Sequence, residues 1–304
     1  MDAKRIVIGL QGILAVLILL SSSSFGATKC VNPGGTGGCY SSIQTAINAV
    51  ANGDTVEVSP GIYKQNVTIG KPINLLAKGI ENTIIMPDTG NSVIFVSGSS
   101  GAKMAGFKIE SSGGNGVYSN ATVDVRVENC IIQNCSQTGI LFVNSGSSLL
   151  SSNNVIYNNS GDGVSLATGV HYLYGNIVLN NHAAGFHESG ETAVTNEYNC
   201  LYGNAPNYLG SEFTVPGTGE IIQDPQFVDP IGGDFHLGTG SPCINTGPPG
   251  MSYFDCDGTR NDMGVYGGPS AYCGPGPVVT ELQLVPATVV KGETFNIQAK
   301  GATR

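Results

Sequence analysis

The 304-residue chain has 44 Gly, no Trp and only 12% charged side chains, about half the usual share of roughly 25%. Its polar surface must therefore be mostly Asn, Ser, Thr and Gly, while a 40% hydrophobic content without a three-residue Gly period excludes collagen and disorder. The formal charge is −9, and Arg126 is the only Lys or Arg between Ile109 and Thr259, so the clustered cations that nucleic acid requires are missing.

Residues 1–27 read as an export signal: Lys4 and Arg5, the apolar run Ile6 to Leu20, then the small residues Ser21 to Ser24 and Gly26-Ala27. The run is shorter than the roughly twenty residues that span a bilayer, and no later segment is a better candidate. The mature chain is expected to begin near Ala27 or Thr28 and to be secreted or held at the cell surface, as a monomer.

Residues 28–53 read as an N-terminal cap. Cys30 and Cys39 flank the Gly-rich loop Asn32 to Gly38 and are expected to pair in the oxidising environment that export implies. A helix is expected over Ser41 to Ala51, with Ile43, Ala46, Ile47 and Val50 on one face, a capping box from Ser41 and Gln44, and a stop at Asn52-Gly53.

Residues 54–230 carry a repeat. Four segments share the form Asn, any, aliphatic, any, any, Asn, beginning at Asn129, Asn154, Asn176 and Asn199, with steps of 25, 22 and 23. A Gly followed by an apolar residue tracks them at Gly116, Gly139, Gly163 and Gly185, with steps of 23, 24 and 22. Such a unit holds two or three short strands and no helical period, cannot bury its own apolar side chains, and must stack. The expected fold is all-β: a right-handed parallel β-helix, or solenoid, with a short N-terminal capping helix and a C-terminal cap. Equivalent side chains then form columns, and Asn129, Asn154, Asn176 and Asn199 are expected to form a structural amide ladder. Cys130, Cys135 and Cys200 read as buried thiols.

Residues 231–273 read as the C-terminal cap, and one disulfide is expected among Cys243, Cys256 and Cys273. Asp255, Asp257 and Asp262 alternate around Gly258 and can offer hard oxygens to Ca²⁺. The favoured expectation is that Arg260 pairs with these carboxylates and staples the C-terminal cap, with Ca²⁺ as the alternative. Residues 274–277 read as a linker, and 278–304 as the truncated start of an Ig-like β domain, with the native gene product expected to continue beyond Arg304.

The segments Ser42-IQTAINAV, Gly53-DTVEVSPGIY and Pro72-INLLAKG, with Asp224-PQFVD, Ser241-PCINTG and Asp255-CDGTRNDMGVYGG near the end, resemble secreted β-helix repeat proteins of the pectin lyase-like superfamily. Three roles are open, of which a carbohydrate-active enzyme is the one the resemblance implies. The leading one is an extracellular module presenting a polar surface to carbohydrate or another cell-surface component, without a clear catalytic site. The rivals are a polysaccharide lyase or other carbohydrate-active enzyme acting on acidic polysaccharide, and a passive stalk or adhesin segment.

Strand alternation leaves Asp124, Arg126 and Glu128 outward on one rung, the best acidic-basic cluster in the chain. Counting from the asparagines aligns Arg126 with Ser151, Leu173 and Asn196, none of which can act as acid or base. A second group is His171, His182, His187, Glu188 and Glu191, in which His187 is expected to face solvent. Convergence of this group on a metal is not expected, because its members fall on different strands and turns.

Overall fold

The computed structural model describes residues 26–190, 192–211, 213 and 216–271, with the backbone alone of Pro277–Val285 and Asn296–Thr303. Most of the expected export signal, residues 274–276 of the linker, Glu191 and Cys273 lie outside the described residues.

The chain winds into a coil of three parallel sheets, visited in turn on each lap. The first sheet has eight strands, from Thr28–Val31 through Asp124–Glu128, Ser147–Ser152 and Gly169–Tyr174 to Ala193–Glu197. The second has seven, from Gly61–Tyr63 through Ile131–Gln133, Val155–Tyr157 and Ile177–Leu179 to Cys200–Tyr202. The third also has seven, from Val67–Ile69 through Val164–Leu166 and Phe186–Glu188 to Tyr208–Leu209. The fold is the right-handed parallel β-helix expected from the repeat.

Stacking buries one column of apolar side chains per inward position. Val56, Leu75, Met104 and Val127 follow one another up the first sheet, and Tyr63, Ile85, Ile109, Ile132, Ile156, Val178 and Leu201 up the second. All of these sit in one continuous core. No single lap could bury them alone.

At the N-terminal end the helix Ile43–Ala49 places Ile43, Ala46 and Ile47 on this core. Ser42, rather than Ser41, is its N-cap, accepting from the Thr45 N–H. The expected capping box does not form because Gln44 is used elsewhere. Its side chain accepts the Thr68 N–H at 2.7 Å and donates to the Thr68 carbonyl at 3.1 Å. Thr68 lies in the edge strand of the third sheet, so Gln44 satisfies backbone groups that would otherwise template pairing with another chain. The predicted Cys30–Cys39 disulfide is formed.

The amide ladder exists, in different membership. Asn154 donates its N–H and Nδ2 to Asn176 Oδ1, and Asn176 repeats both bonds to Asn199 Oδ1, all at 2.9–3.1 Å. The residue beneath Asn154 is Cys130, whose N–H donates to Asn154 Oδ1 at 2.9 Å. Asn129 is therefore not a ladder member. Its φ of 46° places it in the left-handed region, followed on the next lap by Asn153 at 51° and then Gly175 at 64°, a backbone that Asn and Gly tolerate best. A second ladder runs through Asn159, Asn181 and Asn204, with Cys135 beneath it.

The segment expected as a C-terminal cap lies along the flank. Phe235, Cys243, Met263 and Val265 pack on the outer face of the second sheet, against Ile131, Val155, Ile177 and Cys200. The coil's end is covered instead by Phe213, whose ring is tilted against that of Phe186 with centroids 5.5 Å apart, and by Glu220, which accepts from Asn196 and Asn199 and closes the first ladder. Asn129 Nδ2 donates to the Val265 and Gly267 carbonyls, and Asn153 Nδ2 to the Asp262 carbonyl, so the displaced column holds the flank in place. The backbones of Pro277–Val285 and Asn296–Thr303 pair antiparallel.

Candidate functional site

A cleft of about 330 Å³ opens where the flank segment meets the outer face of the first sheet. Arg126 and Glu128 project from Asp124–Glu128, Lys103 comes from the strand below, and Leu150 and Tyr174 come from the strands above. The opposite wall is Ser252, Tyr253, Pro269 and Ser270 of the flank. The column through Arg126 is Lys103, Arg126, Leu150, Tyr172 and Thr195, which corrects the expected alignment by one residue. The cause is the exchange of Asn129 for Cys130 as the partner of Asn154.

Glu128 is 7% exposed and its charge is already balanced. Oε2 pairs with Lys103 Nζ and accepts Ser270 Oγ at 3.0 Å, while Lys103 Nζ donates to Ser270 Oγ at 2.9 Å. This closed triangle ties the flank to the coil and leaves Glu128 poorly suited to general acid or base work. Arg126 is exposed and forms no ion pair among the described residues. Asp124 is exposed beyond the cleft lining. Sequence alternation thus placed the triplet outward correctly, but the structure divides it into a structural acid, an unpaired guanidinium and a surface carboxylate.

Beside Arg126 lies an aromatic strip. Tyr172 and Tyr174 stack with ring centroids 6.3 Å apart, and Tyr253 of the flank stands 6.3 Å from Tyr174. Tyr172 and Tyr253 are each 38% exposed. Burial, reinforced by Glu197, pushes the Tyr174 hydroxyl above its ordinary value of 10.0. Aromatic faces with a polar rim suit sugar rings, whose C–H faces are apolar and whose edges carry hydroxyls. Sequence reading missed these residues. The alternation of Tyr172 and Tyr174 and the 23-residue step from Lys103 to Arg126 were available signals, whereas Tyr253 arrives through a long-range contact with no local trace.

The histidines do not form a common site. His171 is fully buried against Phe142 with Nε2 3.2 Å from the Ala167 carbonyl, and desolvation lowers its pKa below 6.5. His182 is exposed at a turn. His187 faces outward as expected, with Nδ1 2.7 Å from Asp162 Oδ2. Asp162 Oδ1 also accepts the Ala184 N–H at 2.9 Å, which fixes the imidazole on the third sheet. Glu188, a weak catalytic candidate in the sequence, points into the coil in the column of Phe142 and Leu166 and accepts from Ser211 Oγ.

The acidic triplet in the flank is spent on turns. Asp255 accepts the Asp262 and Gly268 N–H groups, Asp257 accepts from Thr259, and Asp262 accepts the Asn245 N–H. Among the described residues no three His, Cys, Asp or Glu side chains are placed to hold a metal ion. Arg260 does not pair with these carboxylates. It donates to the Gly247 and Thr246 carbonyls and lies 5.6 Å from the Tyr198 ring centroid. Of the three tail cysteines, Cys256 is disulfide-bonded and Cys243 is a buried free thiol. Cys200, Cys130 and Cys135 are buried free thiols as expected.

The chain is thus a right-handed parallel β-helix with a side cleft on its first sheet. The family described as "Right handed beta helix region" matches residues 74–217. Among solved structures it is similar to pectate lyase Pel9A, at 14% identity over 79% of this chain and 97% of that one, with a TM-score of 0.47. It is also similar to pectin methylesterase from carrot, at 12% identity over 60% of this chain and 73% of that one, with a TM-score of 0.34. No curated protein sequence matches.

Proposed function

We propose that the protein is an extracellular binding module that engages a polysaccharide or cell-surface glycan along the outer face of its first sheet. The observation that carries this reading is Arg126, an unpaired guanidinium beside the Tyr172, Tyr174 and Tyr253 strip, on strands held rigid by the laps on either side. The neighbouring acid, Glu128, is neutralised by Lys103, so the cleft offers recognition groups without a free proton acceptor. Affinity electrophoresis of the purified chain against neutral and acidic polysaccharides tests it. Retardation by at least one polymer, lost in the Tyr172→Ala/Tyr174→Ala variant, is expected. Absence of retardation by every polymer would favour the passive stalk reading.

Arg126 also gives the enzyme reading its one support, since a lyase needs a cation near the uronate carboxylate and a base near its proton. Release of unsaturated uronate from pectate, alginate or glycosaminoglycan, followed by ultraviolet absorbance with and without Ca²⁺, separates the two. Turnover abolished by Arg126→Ala would replace the binding proposal with the lyase.

A further inference from the structure

Two free thiols meet at the join between coil and flank. Cys200 opens the last strand of the second sheet and points outward in the column Ile131, Val155, Ile177, Cys200. Cys243 belongs to the flank segment and enters the same apolar cluster. Both side chains are 0% exposed, and their thiols are within hydrogen-bond reach of each other.

Each backbone is pinned. The Cys200 N–H donates to the Asn176 carbonyl at 2.8 Å, the Cys243 N–H to Ser241 Oγ at 3.2 Å, and the Met263 N–H to the Cys243 carbonyl at 3.0 Å. Two ordered sulfurs are therefore presented to one another from positions 43 apart in sequence (243 − 200). Cys130, Cys135 and Cys200 each lie within bonding distance of a backbone carbonyl, at Glu128, Gln133 and Gln223, and Cys200 has the Cys243 thiol beside it as well. Cys30, Cys39 and Cys256 are already in disulfides, so this fold accommodates oxidised sulfur at both ends.

We infer that Cys200 and Cys243 are joined as a disulfide in the exported protein, a covalent staple between the flank segment and the coil. Two Sγ–H bonds break and one Sγ–Sγ bond forms. The two electrons and two protons pass to an acceptor disulfide, either a thiol–disulfide oxidoreductase or oxidised glutathione, which becomes two thiols. The attacking species is a thiolate, and docking of the flank brings the two sulfurs together and shields the bond once it has formed. The staple keeps Tyr253 and Ser270 against the first sheet, because both belong to the same flank.

The test uses the full chain exported to an oxidising compartment, denatured without reductant, blocked with N-ethylmaleimide and cleaved before aspartate. Cys200 is then the sole cysteine of residues 162–223, and Cys243 the sole cysteine of residues 234–254. Mass spectrometry is expected to find these two peptides joined, unlabelled, and separated by reductant. In the Cys243→Ser variant, Cys200 is expected to become labelled. Recovery of both peptides singly and labelled from the unaltered chain would overturn the inference, as would linkage of Cys200 to any other cysteine.

Discussion

Replacing Asn176 by Ala removes the middle link of the first ladder. Its Oδ1 accepts from Asn154 N, Asn154 Nδ2 and Ser151 Oγ, and its Nδ2 donates to the Ser151 carbonyl and Asn199 Oδ1. All of these atoms lie in the buried interior. Asn199 Oδ1 keeps the Asn176 N–H, and Asn154 Nδ2 keeps the Val127 carbonyl. The Asn154 N–H and the Ser151 carbonyl lose their bonds to this side chain. An orphaned buried group costs about 1–3 kcal/mol; the Asn154 N–H is one, while Ser151 stays paired with the strand Gly169–Tyr174, so the loss is about 1–3 kcal/mol out of the roughly 5–15 kcal/mol that holds a domain folded. Urea unfolding followed by circular dichroism should show the midpoint fall accordingly. Asn144→Ala, whose side chain makes only an exposed 3.4 Å bond to Thr122, should stay within about 0.5 kcal/mol of the parent. A loss below about 1 kcal/mol for Asn176→Ala would refute the reasoning, because it would mean that the ladder satisfies nothing the backbone needs.

Lys103→Met leaves the Glu128 carboxylate without its cation and is expected to cost about 2–4 kcal/mol, whereas Lys103→Met with Glu128→Leu should recover much of that; chemical denaturation of the single and double variants measures the difference. Asn129→Gly, which keeps the left-handed backbone, should leave the coil's circular dichroism unchanged while raising the rate at which proteases cut the flank, because the bonds to Val265 and Gly267 are lost. His171 provides a pH test. Burial lowers its folded pKa below 6.5, so the unfolded chain takes up the proton first. Stability from this site is present above about pH 6.5 and is lost as pH falls, by at most about 1.4 kcal/mol per pH unit; His171→Leu should flatten that part of a stability–pH curve. Tyr174→Ala should weaken binding of any retained glycan about tenfold, equivalent to about 1.4 kcal/mol, as read by calorimetric titration.

The coil was legible because its period is written twice, in asparagines and in glycines, and stacking is the only way such short strands bury their side chains. The one-residue slip arose because two adjacent columns favour Asn for different reasons. One accepts and donates amide bonds, and the other needs a left-handed backbone. On the lap of Cys130 the ladder position holds Cys, so matching letters selected Asn129 instead. The same exchange at Cys135 displaced Asn134, which has a φ of 53°.

The flank had no periodic signature, and its role depends on contacts with residues far away in sequence, such as Asn129 to Gly267, 138 positions apart, and Lys103 to Ser270, 167 apart. A trace of it was present in the doubled apolar pairs Ile131-Ile132, Val155-Ile156 and Ile177-Val178. Consecutive apolar residues in a strand mean that both faces are buried, and here the outer face is buried by the flank. The candidate cleft was half legible for the same reason. Its floor is strand residues with a fixed alternation, and its far wall is flank.

The most direct measurement is a crystal structure of the protein soaked with an oligosaccharide of whichever polymer retards it. The account places a sugar ring over the Tyr172 and Tyr174 faces, with a hydroxyl or carboxylate of the chain within hydrogen-bond distance of the Arg126 guanidinium. Sugar density over His187 on the third sheet, with the tyrosine strip bare, would contradict it.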